Sequence, residues 1–255
     1  MYILIDTLFF LLYNIDGNSN CSSNNNSEDE MARPLNRKKE ETKSKILHTA
    51  AKMFLEKGYN YTTMNELAKN AGITYGELFR VGVDKENILC ELVAYVLEGQ
   101  FESTKKLLEG ITDDKILFYA AETTLQLYMA ESSEHMREMY NVSYSLPHSA
   151  QIIFKTITGK LEEIFKDWLP ELETKDFYEL EIASAGIMRN FMSVPCNMYF
   201  TMDRKVRRFL ETTFLVYRVS DEKINEAIDF VSKFDFKEIA SQVIDKMLSY
   251  LESKV

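Results

Sequence analysis

The sequence predicts an all-α fold, in which an N-terminal three-helix unit precedes a larger helical domain. Apolar residues recur at helical spacing after Thr42, beginning with Ile46, Ala50 and Phe54, and this period is typical of an amphipathic helix. Only 9 Gly and 4 Pro interrupt the 255 residues, so long helices are expected. No segment alternates polar and apolar residues for long enough to predict a strand.

The predicted helices follow this period along the chain. The first starts at Thr42 and ends at the turn KGYNYTT, and a second, short helix covers 64–70. A third of about two turns follows Thr74. The remaining helices are predicted at 84–109, 113–131, 133–145, 148–169, 175–200, 203–219, 221–233 and 236–252.

Composition excludes several classes of protein. The hydrophobic fraction of 45% and the charged fraction of 27% are ordinary for a soluble globular chain. The three cysteines, Cys21, Cys90 and Cys196, are odd in number and widely separated. This spacing argues against a disulfide framework or a zinc site and indicates a reducing, cytoplasmic location. No Ser/His/Asp set, phosphate-cradling glycine loop or metal-spaced cluster predicts an enzyme, a cofactor or a metal site.

Charge divides the chain into three regions. Residues 1–30 carry five acidic residues and no basic one, whereas residues 31–86 carry 11 Lys and Arg against 7 Asp and Glu. Residues 87–255 are again acidic, and the whole chain has a net charge of −10. A basic module in an acidic chain is expected where one part meets a polyanion. An excess of this size also fits ordinary variation in composition.

Residues 1–30 differ from the rest of the chain. An apolar stretch, YILIDTLFFLLY, is too short to span a bilayer and lacks the basic flank of a signal peptide. The polar run that follows it is unable to bury a core. We interpret residues 1–30 as an upstream translation artefact or a disordered leader, with a membrane tether as the alternative. Four basic residues follow ahead of the predicted first helix, either as a phosphate-binding arm or as a solvated tail: Arg33, Arg37, Lys38 and Lys39.

The segment NAGITYGELFR, residues 70–80, predicts a helix-turn-helix. Gly72 can end one helix in the left-handed conformation. Thr74 and Glu77 have the spacing of a capping box that opens the next helix, and Thr63 and Glu66 repeat it one helix earlier. Two short capped helices joined by a tight turn make this motif.

The second helix of such a motif enters the DNA major groove. Leu78 is expected to face inward with Ile73, and this leaves four residues more exposed: Tyr75, Gly76, Phe79 and Arg80. Thr74 can contact a phosphate, Tyr75 a thymine methyl or a phosphate, and Arg80 a phosphate or a guanine. A helical corner without a ligand remains the alternative.

Residues 44–92 resemble the DNA-binding domain of TetR-family transcriptional regulators. The resemblance lies in ILHTAAKMFLEKGYNYTTMNELAKNAGITYGELFR and the following DKENIL. It implies a DNA-binding domain at 31–86, a helical ligand-binding and dimerisation domain at 87–255, and a dimer on a near-palindromic operator. By the same resemblance, Thr63 and Lys85 contact phosphates, and Thr74, Tyr75 and Gly76 begin the recognition helix.

Three positions depart from the family pattern. Phe79 replaces a usual tyrosine, Val81-Gly82 replaces a usual His-Phe pair, and Glu77 replaces a small residue. We interpret Glu77 first as a helix cap and otherwise as an acceptor from a cytosine amino group. Without the packed aromatic, Gly82 predicts a loose joint between the domains and modest operator affinity, to be tightened by Gly82→Phe.

The C-terminal domain is rich in aromatic residues and methionine, which line adaptable pockets between helices as well as ordinary cores. We expect a pocket that holds His135, Arg137, Arg189 and Asn190 as polar groups. The resemblance implies that helices 176–200 and 203–219 pair the subunits. The predicted pocket residues are Tyr119, Tyr128, Met136, Tyr140, Tyr144, Met188 and Phe191.

The sequence therefore predicts a dimeric DNA-binding regulator that is not an enzyme and does not act at a membrane. We expect a repressor that a small apolar effector, of unknown identity, releases from double-stranded operator DNA. The alternative is a helical interaction protein whose helix-turn-helix no longer binds DNA.

Overall fold

The computed structural model describes residues 28–253, and within this range it contains eleven α-helices and no strand. Helices α1 to α4 are Glu28–Lys57, Met64–Asn70, Tyr75–Val81 and Lys85–Leu108. Helices α5 to α8 are Lys115–Glu131, Glu134–Ser143, Pro147–Phe165 and Thr174–Ser193. Helices α9 to α11 are Met202–Val216, Asp221–Val231 and Phe236–Ser253. The all-α prediction is confirmed.

The largest difference from the predicted helices is at the start of α1. The helix begins at Glu28, well before Thr42, so the basic segment predicted as an arm is helical. Lys, Arg and Glu dominate that segment and all favour helix, and this outweighs its lack of an apolar face. The predicted leader 1–30 lies outside the described residues except for its last three, which open α1.

Two apolar cores follow one another along the chain. The first packs α1, α2 and α3 against the N-terminal half of α4, with Phe54, Leu67 and Leu78 buried in it. The second contains the far end of α4, from Phe101 to Leu108, and most of the later helices. Helix α4 therefore contributes to both cores, and the predicted boundary between residues 86 and 87 falls inside it.

Helix α5 is the centre of the second core. It packs against every helix from α4 to α11, and nearly all of its residues are buried, including Glu122, Thr123 and Gln126. A helix buried on all sides is expected to be apolar all round and to show no amphipathic period. Polar residues within such a helix are therefore unusual. Along residues 28–253 no helix has the length and apolar character needed to cross a bilayer.

Candidate functional site

Both short helices of the helix-turn-helix begin with the predicted capping boxes. The Glu66 amide donates to Thr63 Oγ1 at 3.3 Å, and the Thr63 amide donates to Glu66 Oε2 at 3.1 Å. The Glu77 amide donates to Thr74 Oγ1 at 3.2 Å, and the Thr74 amide donates to Glu77 Oε2 at 2.9 Å. These caps hold helices that are too short to be stable alone. Glu77 is a cap, as first interpreted.

Gly82 ends α3, the second helix of the helix-turn-helix. Its φ is 78°, in the left-handed region, and its amide donates to the Phe79 carbonyl. A Cβ built at Gly82 would meet no atom within 4 Å, so the first atom of a side chain here would have no packing partner. This corrects the reason given for Gly82: it is a helix C-cap, and Gly82→Phe would strain the backbone rather than tighten a joint.

Three aromatic side chains and one cation are exposed on the helix-turn-helix. Tyr61, Tyr75 and Phe79 are 78%, 55% and 77% exposed, and Arg80 is exposed beside them in sequence. We call Tyr61, Tyr75, Phe79 and Arg80 the reading surface. Sequence reasoning missed Tyr61, because only packing shows that Tyr59 in the same turn is buried whereas Tyr61 is not.

The two residues expected at phosphates, Thr63 and Lys85, both lie at the turn between α1 and α2. Thr63 is exposed at the N-terminus of α2. Lys85 Nζ lies 3.5 Å from the Asn60 carbonyl oxygen and 4.2 Å from the centroid of the Tyr59 ring. Partial burial lowers the pKa of Lys85. The ring and the carbonyl thus orient this ammonium at the N-terminus of α4.

A carboxylate from α6 binds the same turn. Glu138 accepts the Tyr59 amide at its Oε2 and the Asn60 amide at its Oε1, both at 3.1 Å. Gly58 allows this approach, because it has a φ of 89° and a Cβ there would collide with Glu138 Oε2. His135 Nδ1, also on α6, donates to the Leu55 carbonyl oxygen at 2.9 Å.

A cavity of about 30 Å³ lies between α4, α5, α7 and α8. Its apolar walls include Phe101, Ile157 and Leu161, and three of the predicted pocket residues, Tyr119, Tyr144 and Met188, also line it. We call this space the acidic cavity, because Glu122 and Glu181 line it as well. Its size suits water molecules.

A second cavity of about 40 Å³ lies beside the first, and its walls are largely apolar. Met136, Tyr140 and Tyr144 line it, and Tyr144 and Gln126 are shared with the acidic cavity. Tyr128 and Phe191 line neither cavity. Tyr128 stacks on Phe236 with 5.9 Å between ring centroids, and Phe191 packs edge-on against Phe209 at 5.8 Å.

The polar groups expected in the pocket lie elsewhere. Besides His135, which binds α1, Arg137 pairs with Glu131 at 3.1 Å, and Arg189 and Asn190 are exposed on α8. Whether a side chain reaches a cavity depends on the face of the helix on which it lies. Where a helix is buried on all sides, the sequence pattern does not indicate that face.

The polar groups that do line the acidic cavity are carboxyls. Glu122 is 5% exposed and Glu181 is 3% exposed. Burial raises the pKa of each carboxyl to about 8, and the charge of Glu122 acts in the same direction on Glu181. Glu181 accepts from Ser184 Oγ at 2.8 Å, and Ser184 Oγ in turn accepts from Tyr217. A glutamate inside an otherwise apolar helix was the available sequence signal for Glu122.

Comparison with known proteins places the motif in a family. Residues 46–92 match the model of the bacterial regulatory proteins of the tetR family. The HTH-type transcriptional regulator HbdR of Aromatoleum sp. (strain CIB) is 32% identical over 73 residues, covering 29% of this chain and 32% of HbdR. The HTH-type transcriptional regulator AcrR of Shigella flexneri is 34% identical over 62 residues, covering 24% of this chain and 29% of AcrR. These matches span about a third of either relative.

The fold extends the likeness beyond the matched domain. A crystal structure of RolR in complex with resorcinol aligns with a TM-score of 0.60 over 78% of this chain and 96% of RolR, at 15% identity. The alignment shows a shared fold, and at this low identity it shows the fold alone. Residues 46–92 thus match the helix-turn-helix domain of the tetR family of bacterial regulatory proteins, and the chain as a whole shares the fold of RolR.

Proposed function

We propose that this protein is a sequence-specific DNA-binding regulator of transcription, a repressor that a small molecule releases from its operator. The observation that carries the proposal is the reading surface, because Tyr75 and Phe79 leave large apolar rings in water on a recognition helix. Exposed aromatic groups on such a helix match the apolar contacts that thymine methyls offer in the major groove.

The exposed groups of the recognition helix contact different parts of the duplex. Tyr75 and Phe79 face base edges, whereas Arg80 reaches a guanine or a phosphate. Gly76 has no side chain, so the bases can approach the backbone of the helix closely at this position. Thr63 and Lys85, at two helix N-termini, contact phosphates and fix the register, because helix N-termini attract anions. In this proposal residues 31–86 bind DNA and residues 87–255 bind the effector.

A homodimer supplies the second recognition helix. The outer face of α8 exposes Tyr178 and Ile182, and α9 beside it exposes Leu215. Ala183 and Gly186 are also exposed on α8 and permit a second copy to approach closely. We infer that α8 and α9 pair with the same helices of a second copy, so that two recognition helices meet a near-palindromic operator.

The contacts of α6 provide the coupling between effector and DNA. Tyr140 and Met136 of α6 line the second cavity, and Glu138 of the same helix holds the amides of the turn. Asn60 in that turn also lies against Lys85. A ligand that moves α6 therefore shifts the lysine that we expect at a phosphate, and its effect equals its difference in affinity for the two arrangements.

Binding to the DNA upstream of the protein's own gene tests the proposal, measured by mobility shift at low and high salt with a scrambled duplex as competitor. We expect preference for the upstream DNA and a fall in affinity with salt, because phosphate contacts release counterions. Arg80→Ala should weaken binding about tenfold and reduce the salt slope by about one if Arg80 contacts a phosphate.

The matched control is Lys237→Ala, which removes an exposed cation from α11 far along the chain. It should leave DNA binding unchanged. Absence of binding at low salt, or equal binding to scrambled DNA, would contradict the proposal and favour a helical interaction protein.

A further inference from the structure

We propose that the acidic cavity binds a small organic cation, an ammonium or amidinium group carried on an apolar body, between the carboxyls of Glu122 and Glu181. This inference rests on the proposed function, because it takes the cavity as the effector site. It changes the expected ligand from a purely apolar molecule to a cationic one.

The first support is the isolation of Glu122. Glu122 lines the cavity and is 5% exposed, yet among the side chains described, those of residues 39–253, none forms a hydrogen bond or an ion pair with it. A buried polar group without a partner costs free energy. A donor brought by a ligand would remove that cost.

The second support is the position of Glu181 across the same cavity. Glu181 comes from α8 and Glu122 from α5, and the charge of one opposes ionisation of the other. Ser184 offers Glu181 one hydrogen bond, which leaves acceptor capacity toward the cavity. Two carboxyls that share a space cannot both ionise unless a cation lies between them.

No basic residue of the described chain fills this role. Lysine, arginine and histidine are absent from the cavity lining and from the groups that shift the pKa of either carboxyl. Lys160 lies against a wall, with its Nζ 5.3 Å from the centroid of the Phe101 ring. The other titratable groups facing the carboxyls are the hydroxyls of Tyr119, Tyr140, Tyr144 and Tyr217, whose pKa values are raised, so they stay neutral.

The walls suit the rest of such a ligand. Phe101, Tyr119 and Tyr144 present aromatic surface to the cavity, and aromatic faces attract a cation from the side. Ile157, Leu161 and Met188 offer apolar contact for the ligand body. Because the cavity is only about 30 Å³, the ligand must separate the surrounding helices to enter. Tyr144, at the C-terminal end of α6, lines the cavity, so this separation also moves the helix that holds the turn before α2.

Proton release follows from the chemistry. Near neutral pH the buried carboxyls hold their protons, and an incoming ammonium ion favours their ionised form. Each carboxyl that ionises on binding releases one proton to solvent and keeps its negative charge beside the cation. The affinity for a cation should therefore rise about tenfold per pH unit for each proton released, between about pH 6 and about pH 8.

Three naphthalene compounds test this proposal by calorimetry on the full chain: 1-naphthylmethylammonium, uncharged 1-naphthylmethanol and anionic 1-naphthoate. The ammonium compound should bind at least about tenfold more tightly than the alcohol, and naphthoate should bind least. Titration in two buffers of different ionisation enthalpy should show proton release with the ammonium compound alone.

Glu122→Gln and Glu181→Gln keep the side-chain shape and should each abolish most of the preference for the ammonium compound. Glu163→Gln, an exposed glutamate on α7, is the control and should preserve it. Equal or tighter binding of the alcohol or naphthoate, no binding of any compound, or a preference that survives both variants would overturn the inference.

The mobility shift described above, run on the same preparations, separates this failure from failure of the proposed function. Intact operator binding with no ammonium preference overturns the cation site alone. Ammonium binding without operator binding leaves the cation site standing and overturns the regulator.

Discussion

The reading surface and the acidic cavity break the usual rule of burial in opposite ways. On the helix-turn-helix, Tyr61, Tyr75 and Phe79 leave aromatic rings in water, whereas Glu122 and Glu181 lie inside the second core. Large apolar groups usually lie inside and carboxyls outside, so each arrangement costs free energy in the unliganded protein. A ligand of the matching kind removes each cost, DNA bases in one case and a cation in the other.

The largest expected effect concerns the buried carboxyls and pH. Because burial raises the pKa of Glu122 and Glu181 from 4.5 to about 8, the folded state holds protons that the unfolded state has released. Their unfavourable contribution is absent below about pH 4.5 and grows as the pH rises toward about 8. Glu122→Gln/Glu181→Gln should therefore gain about 4 to 5 kcal/mol relative to the original chain between about pH 6 and about pH 8, because each carboxyl contributes about half of that change.

Denaturant unfolding at several pH values measures this gain. The exposed-site control Glu163→Gln should follow the pH profile of the original chain. Parallel profiles for the double variant and the original chain would show that the two carboxyls are not the source of the pH dependence.

Two adjacent residues on the recognition helix sharpen the comparison. Leu78 is buried and Phe79 exposed. Leu78→Ala should lower the free energy of unfolding by about 2 to 3 kcal/mol, because it leaves a cavity in the first core. Phe79→Ala should change it by less than about 0.5 kcal/mol while weakening operator binding about tenfold. Equal effects of the two substitutions on stability would contradict the exposed position of Phe79.

Features that depend on neighbouring residues could be predicted from the sequence, whereas features that depend on long-range contacts could not. The caps of Thr63 and Thr74 were predictable because each depends on residues three apart, and Phe79 and Leu78 follow from one helix period. Gly82 was not identified as a C-cap, because a glycine after a short helix also fits a loop. Tyr128 and Phe191 were expected in a pocket, but α5 and α8 bury aromatic groups on several faces. Glu138 reaches residues 59 and 60 from α6, and no local pattern signals that distance.

Removing the link between the two regions should separate their functions. Glu138→Ala deletes the carboxylate that holds the Tyr59 and Asn60 amides. Operator affinity without effector should change only a few-fold, whereas the effector's influence on it should fall by about 1 kcal/mol, which is most of a tenfold coupling. Anisotropy titrations of labelled operator with and without 1-naphthylmethylammonium measure this. Glu134→Ala on the same helix is the control, because Glu134 is exposed, and a response that survives Glu138→Ala would exclude this route.

The smallest expected effect lies in the cap of the recognition helix. Thr74→Ala removes the hydroxyl that accepts the Glu77 amide and should cost about 1 kcal/mol, mostly as fraying of α3. Hydrogen exchange should show faster exchange in residues 75–81 than in 64–70, and Thr63→Ala should reverse that order. Uniform acceleration across both helices would mean that the caps act on the whole domain.

The central claim is that the reading surface and the acidic cavity are the two sites of one coupled protein. Reciprocal titration tests it: the affinity for operator DNA is measured with and without saturating 1-naphthylmethylammonium, and the affinity for this compound is measured with and without saturating operator. Linkage requires the two ratios to be equal, and we expect each to be about tenfold, with each ligand weakening the other. Ratios of one in both directions, with both ligands bound, would contradict the claim.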